Sequence, residues 1–241
     1  MRAQTRHQLK TDAFSRVTLG AAEKTAHWSA EHRNTLAAAL VAAVVIAGAV
    51  TGGWYYLSAQ NEKASLDFSQ ALRVLDSPIR PAGSPAQPDV PSFESAKERA
   101  DAAKKQFQAI VDKYPHTRTA DMSRYFLGVT AATAGDNSTA ESDFKAVSSI
   151  GNKEMGSVAR LALANLYGNT GRTKDAEGIY QDLINHPTAS VSKATAQLQL
   201  AELYQSSNQP LDAKRLYEQI KKDNPGVEAG QLATQKLAEL K

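Results

Sequence analysis

A single pattern recurs four times in this 241-residue chain and constrains its fold more than any other feature. In each copy, an alanine is followed four residues later by an aromatic residue and seven residues later by an aliphatic one. The copies are Ala103-Phe107-Ile110, Ala140-Phe144-Val147, Ala176-Tyr180-Leu183 and Ala213-Tyr217-Ile220, at spacings of 37, 36 and 37 residues. Positions i, i+4 and i+7 share one helix face, so each triplet predicts the buried stripe of one helix in a repeating array.

A second pattern precedes the last three copies and predicts a partner helix for each. It places a leucine next to a small residue, and the small residue stands twelve positions before the alanine of the triplet. The pairs are Leu127-Gly128, Leu163-Ala164 and Leu200-Ala201. A small side chain lets two helices approach closely, so each repeat is predicted to be a helix hairpin.

Turn and stop signals fall where such hairpins need them. Gly135, Gly171 and Asn208 lie five residues before the alanine of their triplets. Glycine and asparagine tolerate the left-handed backbone that a tight turn can require. Proline cannot continue a helix, so helices are predicted to end at Tyr114-Pro115, His186-Pro187 and Asn224-Pro225.

In these features the chain resembles the tetratricopeptide repeat (TPR) family over roughly residues 95–241. The usual period of that family is about 34 residues, so two or three extra residues are expected to lengthen the turn between hairpins. The tryptophan often found early in the repeat is absent, with Arg124, Arg160 and Gln197 in its place. A further Leu237-Ala238 pair predicts that residues 227–240 form a closing helix, since such arrays end in caps.

An uncharged segment near the N-terminus predicts a membrane span. No charged residue occurs from Asn34 to Asn61, and about 20 apolar residues suffice to cross a bilayer as a helix. Trp54 and its two tyrosine neighbours stand at the far end, where aromatic rings favour the headgroup level. Residues 1–57 hold six basic and three acidic side chains, which favours a cytoplasmic N-terminus. A cleaved signal peptide is the main alternative, although its apolar run is shorter; a buried soluble helix would need a polar face.

The predicted fold class is therefore all-α: a single N-terminal transmembrane helix followed by a TPR-like α-solenoid of helix hairpins. No long stretch alternates apolar and polar residues as a strand would. The expected divisions are a cytoplasmic arm (1–34), the transmembrane helix (35–57), the first helix of the soluble domain (58–76), a proline-rich insertion (77–93) and the repeats with their capping helix (94–241). The first soluble helix carries Leu66, Leu72 and Leu75. The insertion holds five prolines and is interpreted as a loop within the first hairpin, or alternatively as a plain linker.

The sequence contains no motif that predicts a catalytic, cofactor-binding or metal-binding site. The chain has no cysteine and five histidines, none of them spaced as zinc ligands, and no nucleotide-binding or nucleophile motif occurs. We therefore expect no catalytic, cofactor-binding or metal-binding residue, and no enzymatic activity. The chain beyond residue 57 holds 22 basic and 22 acidic side chains, so nothing predicts nucleic-acid binding, which needs a clustered basic face.

The TPR resemblance implies a binding surface for other proteins. In such arrays the first helices of the hairpins line a groove that holds partner peptides. The matching positions of this sequence are Tyr125, Asn165, Leu198, Glu202 and Gln205. For Tyr125 and Leu198, packing inside the stack is an equal alternative.

The whole layout resembles one bacterial family, the TPR family of the ancillary Sec translocon subunit, related to the cell-division coordinator of the periplasm. The similarity is carried by Trp28, His32 and Arg33 before the span, Gly52-Gly53-Trp54 at its exit, Lys63-Ala64-Ser65, Tyr125-Phe126-Leu127-Gly128, and Gly171-Arg172 with Asp175-Ala176. It implies a single-pass protein of the bacterial inner membrane with a periplasmic C-terminal domain. The implied partners are translocon subunits, periplasmic chaperones and exported chains. The proline-rich insertion departs from that family.

Two other functions stay open at this point. One is a periplasmic scaffold for envelope assembly or cell division. The other is an enzyme or carrier with a site that the sequence does not reveal.

Overall fold

The computed structural model describes Trp28, residues 31–81, Ser84 and residues 91–240. The helices of this part of the chain are α1 (Arg33–Leu75), α2 (Ala96–Lys113), α3 (Arg118–Thr133), α4 (Asn137–Ser148), α5 (Lys153–Asn169), α6 (Thr173–Asn185), α7 (Lys193–Ser206), α8 (Pro210–Asp223) and α9 (Glu228–Glu239). Over the described residues there is no β-strand, which confirms the all-α prediction. Most of the predicted cytoplasmic arm and the middle of the proline-rich insertion lie outside the described residues.

The chain divides into two compact units, Met1–Tyr56 and Leu57–Lys241. In the described part of the first unit, the apolar side chains of α1 are exposed on all sides. Leu40 is 68% exposed and Ile46 is 63% exposed. The mean hydropathy of an 18-residue window in this helix reaches 2.2, so its length and composition make α1 a candidate membrane span. A helix that is apolar all round fits a bilayer better than water.

The second unit is a stack of helix hairpins. Helices α3 and α4, α5 and α6, and α7 and α8 form successive pairs, and each helix from α2 onward packs against the next. All twelve residues of the repeated triplets are buried, none of them more than 3% exposed. The periodicity therefore identified the inner stripe of the second helix in every hairpin.

Left-handed turns reverse the chain inside the hairpins, as predicted. The φ angles are +84° at Gly135, +79° at Gly171 and +59° at Asn208. After Gly171, the N–H of Arg172 donates to the carbonyl of Tyr167 at 2.8 Å. Equivalent bonds follow Gly135 and Asn208. This is the hydrogen bond by which a left-handed residue closes a helix C-terminus.

The outer ends of the second helices also lie where the prolines predict. Helices α2, α6 and α8 have their C-caps at Tyr114, His186 and Asn224, each immediately before a proline. The first helices that follow α2 and α6 have their N-caps at Thr117 and Ser192, whose side chains accept backbone N–H groups three residues on. Such caps satisfy donors that the first helical turn leaves free.

The first hairpin pairs the end of α1 with α2. No helix boundary falls at residue 57, so the expected border between the span and the first soluble helix lies inside α1 and stays a prediction. The buried residues of this helix are Ala64, Phe68, Ala71 and Val74. Leu66, which the sequence made part of the apolar set, is 72% exposed. The first three buried residues repeat the spacing of the triplets in the second helices, with alanine in place of the larger aliphatic residue.

A layer of phenylalanine rings joins the first hairpin to the second. The ring centroids of Phe68 and Phe107 lie 5.7 Å apart, and those of Phe107 and Phe126 lie 5.2 Å apart. Nearby, Oδ1 of Asn61 accepts from the backbone N–H of Thr119 at 3.1 Å and from its hydroxyl at 2.9 Å. The start of α3 is thereby tied to α1.

The two ends of the proline-rich segment are held together. An isolated bridge joins Ile79 to Phe93, with the Arg80 N–H donating to the Phe93 carbonyl at 2.8 Å. The Arg80 guanidinium also donates to the Ser92 carbonyl and pairs with Glu94 at 3.0 Å. These contacts close the base of the segment as a loop between α1 and α2.

Candidate protein-binding face

The first helices of the last three hairpins form one continuous surface. Helix α5 contacts both α3 and α7, and α7 contacts α9. We call the surface made by α3, α5 and α7 the first-helix face. Its half-buried or exposed side chains are Met122, Tyr125, Val129, Val158, Leu161, Asn165, Leu198, Glu202 and Gln205. All five residues that the TPR resemblance selected lie on these three helices.

Tyr125 of α3 is half-buried between two rings. Its ring centroid lies 5.4 Å from that of Phe126 in an edge-to-face arrangement and 5.7 Å from that of Phe144. Burial raises the pKa of the Tyr125 hydroxyl. The residue thus takes part in packing within the stack while part of its surface stays accessible. Leu198 of α7 is similar, packing against the cluster of Ala201, Ala213 and Tyr217.

The three polar candidates are each held by a neighbouring side chain. Oδ1 of Asn165 accepts a hydrogen bond from the hydroxyl of Tyr180, on the second helix of the same hairpin. Oε1 of Gln205 accepts from the hydroxyl of Tyr217 at 3.3 Å. Oε2 of Glu202 accepts from Nε2 of Gln199, one turn earlier on α7, at 3.0 Å. These contacts restrict the rotamers of the surface side chains.

The pKa values of the two tyrosine hydroxyls behind the face are raised, chiefly by desolvation and in part by the negative charge of Glu202. Desolvation raises the pKa of Tyr180, and the negative charge of Glu202 adds to the rise. Desolvation also raises the pKa of Tyr217 to about 12, with smaller contributions from Glu202 and Glu239. Both hydroxyls therefore stay protonated at neutral pH and remain donors to Asn165 and Gln205.

A small cavity opens at the N-terminal ends of α3 and α5. Its volume is about 220 Å³ and its apolar lining comes from Met122, Met155 and Val158. Arg118, Asp121, Asn152, Glu154 and Ser190 complete the lining. The cavity could not be predicted from the sequence, because its walls come from different helices and include residues 118–122, 152–158 and 190. The roles of the tyrosine hydroxyls were not predicted either, although the change from phenylalanine to tyrosine in the triplets is visible in the sequence.

No group of three or more histidine, aspartate or glutamate side chains in the described part of the chain could hold a metal ion. The first-helix face instead offers ring edges, a methionine side chain, amides and a carboxylate.

These features define a class of protein: an α-solenoid built of successive helix hairpins. The chain belongs to the family described as tetratricopeptide repeat-like domain, whose model matches residues 26–179. A tetratricopeptide repeat model also matches residues 195–226. Proteins of this fold are protein-interaction scaffolds, so protein partners are indicated for this chain.

Solved structures of similar fold are also repeat proteins. A putative kinesin light chain from Podosopora anserina with nearly identical TPR-like repeats is 14% identical, with a TM-score of 0.55 over 74% of this chain and 85% of that one. A singly substituted variant of the same protein gives a TM-score of 0.54 at the same identity of 14%, over 74% and 84%. A tetratricopeptide repeat protein from Parabacteroides merdae is 19% identical, with a TM-score of 0.45 over 60% and 54%. No curated protein matches the sequence.

Proposed function

We propose that this protein is a membrane-anchored TPR protein that binds other proteins through its first-helix face. The observation that carries the proposal is the continuity of that face, on which half-buried apolar groups and fixed polar groups follow one another across α3, α5 and α7. Tyr125 and Leu161 offer apolar area, while Asn165 and Gln205 offer oriented amides. Partly exposed apolar groups ringed by polar ones are typical of protein interaction sites.

The particular role that we propose is that of an ancillary subunit of the Sec translocon, which hands exported chains to periplasmic chaperones. Its support is the resemblance of the motifs around the span and in the repeats, together with a candidate span in α1 ahead of the hairpins. In this proposal the protein is a single-pass protein of the bacterial inner membrane, with residues 1–34 in the cytoplasm and the hairpins in the periplasm.

Crosslinking in the membrane tests the proposed role. A photo-crosslinking amino acid is placed at Tyr125 or Glu202 of the full chain in living cells, and captured proteins are identified by mass spectrometry. Gln219 is the control position, because it is exposed on α8, a second helix. We expect translocon subunits and periplasmic chaperones from the two face positions and much less capture from Gln219.

Other outcomes would assign the protein differently. Capture of only cell-wall or outer-membrane assembly proteins would replace the export role by a scaffold for envelope assembly or cell division. Equal capture from Gln219 and Tyr125 would show that the first-helix face is not the binding surface.

The proposed topology has its own test. Alkaline phosphatase, which is active only in the periplasm, is fused after Leu240, and a matched fusion is made before Arg33. We expect activity from the first fusion and none from the second. The reverse pattern would exclude a periplasmic position for the hairpins.

A further inference from the structure

The first-helix face has two chemically different halves. On α3 and α5 it is mainly apolar, with Met122, Tyr125 and Leu161 half-buried beside a cavity whose apolar lining is accompanied by charged side chains. On α7 the half-buried Leu198 is joined by polar side chains, the half-buried Glu202 and the exposed Gln205, so this half carries the carboxylate. Asn165 of α5 stands at the transition between the halves.

The second helices explain this division. In the first two triplets the aromatic residue is Phe107 or Phe144, so only ring carbons back the apolar half. In the last two it is Tyr180 or Tyr217, and each hydroxyl donates to an amide oxygen of the face. The aromatic position of the triplet thus lies behind apolar side chains at one end of the stack, and at the other end its hydroxyl fixes polar side chains.

Glu202 carries a charge that its surroundings do not neutralise. Among the described residues it forms no ion pair with lysine, arginine or histidine within 4.0 Å, and the partner of its carboxylate is the neutral amide of Gln199. Beyond desolvation, the negative charge of Glu202 contributes to the raised pKa values of the Tyr180 and Tyr217 hydroxyls, and Glu239 contributes in the same way at Tyr217. A half-buried carboxylate in such a place favours a cation from a bound molecule.

We propose that the occupant of this face is an extended peptide with an apolar residue and, further along the same peptide, a lysine or arginine. This inference rests on the proposed protein-binding function and names the chemistry of the bound chain. The apolar side chain enters the cavity of Met122, Met155 and Val158, and the cation pairs with Glu202. Asn165, whose Oδ1 is held by Tyr180, donates from Nδ2 to a carbonyl of the peptide.

Peptide binding to the full chain in lipid nanodiscs tests the inference. The probe is fluorescein-labelled Ser-Leu-Leu-Ser-Gly-Ser-Gly-Arg-Ser, and the matched peptides replace arginine by glutamate or both leucines by serine. Fluorescence anisotropy measures each Kd at low and high salt. We expect the arginine peptide to bind roughly three- to tenfold more tightly than the glutamate peptide. Salt should reduce the difference, because it screens exposed charges.

Substitutions in the protein test whether Glu202 causes the preference for the arginine peptide. Glu202→Gln should abolish the preference for arginine, whereas Glu218→Gln, which removes an exposed carboxylate from α8, should leave it unchanged. Glu202→Lys should reverse the preference towards the glutamate peptide. The leucine-free peptide should bind weakly to every variant.

Three results would overturn the inference. One is a preference for arginine that survives in Glu202→Gln. Another is equal binding of all charged peptides with loss of binding in Tyr125→Ala, which would keep the proposed function and reject the acidic half. The third is no binding of any peptide to the unmodified chain, which would leave the protein-binding function to be judged by the crosslinking result alone.

Discussion

The hydroxyl of Tyr167 on α5 donates a 2.8 Å hydrogen bond to the carboxylate of Glu141 on α4, and this bond joins one hairpin to the hairpin before it. Arg172 completes the junction, with Nη1 2.7 Å from the other carboxylate oxygen and its guanidinium 3.8 Å above the Tyr167 ring centroid. The next junction repeats the bond, since the hydroxyl of Tyr204 donates to Glu177 at 2.7 Å. A solenoid holds together through such interfaces between neighbours.

The Tyr167–Glu141 bond should contribute measurable coupling between hairpins. In a double-mutant cycle of Tyr167→Phe and Glu141→Ala, we expect a coupling energy of about 0.5–2 kcal/mol in the free energy of unfolding. Urea unfolding of the purified chain, followed by circular dichroism, gives the four values. If the two single effects simply add, the bond contributes nothing to the stability of the junction.

The close approach between α3 and α4 predicts that Gly128 tolerates no side chain. A Cβ at this position would lie 2.6 Å from Cε1 of the buried Phe144 ring. Gly128→Ala should therefore lower the free energy of unfolding by about 1–3 kcal/mol. Gly178 is the matched control, because it lies inside α6 with open space around it. Gly178→Ala should raise stability by about 0.5–1 kcal/mol, and equal effects of both substitutions would contradict the packing argument.

The turns predict opposite responses to substitution. Gly171 has a φ of +79°, a region where a Cβ is strained, so Gly171→Ala should cost about 1–2 kcal/mol of stability. Asn208 already occupies the left-handed region at +59°, so Asn208→Gly removes that strain and should cost nothing or stabilise slightly. Thermal melting of both variants compares them. A destabilised Asn208→Gly variant would mean that the asparagine side chain itself supports the turn.

Alkaline pH should weaken the stack through its tyrosine residues. The pKa values of Tyr204 and Tyr217 are raised to about 12, in both cases chiefly by desolvation. The hydroxyl of a tyrosine in the unfolded chain titrates at about pH 10. Between these two values the unfolded chain loses phenolic protons that the folded chain keeps, so stability falls as the pH rises through the window.

The urea midpoint, measured at intervals from neutral pH to the upper end of that window, checks this expectation. Tyr217→Phe removes one titrating group and should flatten the decline, although it also loses the hydrogen bond to Gln205 at all pH values. A decline of unchanged slope in Tyr217→Phe would assign the pH dependence to other groups.

Much of this fold could be predicted from the sequence, because the signals are local. The spacing of Ala176, Tyr180 and Leu183 lies within two turns of one helix, and the turn at Gly171 depends on a single backbone angle. The candidate span also needs only an uncharged stretch of sufficient length. The positions of the first-helix residues followed from the family resemblance once the repeat was aligned.

Other features depend on which residues meet across hairpins. The pairing of Tyr180 with Asn165 spans 15 residues, and that of Tyr167 with Glu141 spans 26. The exposure of Leu66 and the burial of Ala64 and Phe68 depend on the side from which α2 approaches α1.

The sequence by itself determined that this protein is a set of helix hairpins with defined inner stripes and left-handed turns, since local periodicity and backbone sterics suffice for both. Only the tertiary structure decided how the hairpins stack, which hydroxyls hold which amides, and where the face changes from apolar to acidic. The physical reason is that these properties arise from contacts between side chains on different helices, and helix propensity and spacing carry no information about the rotation of one helix against another.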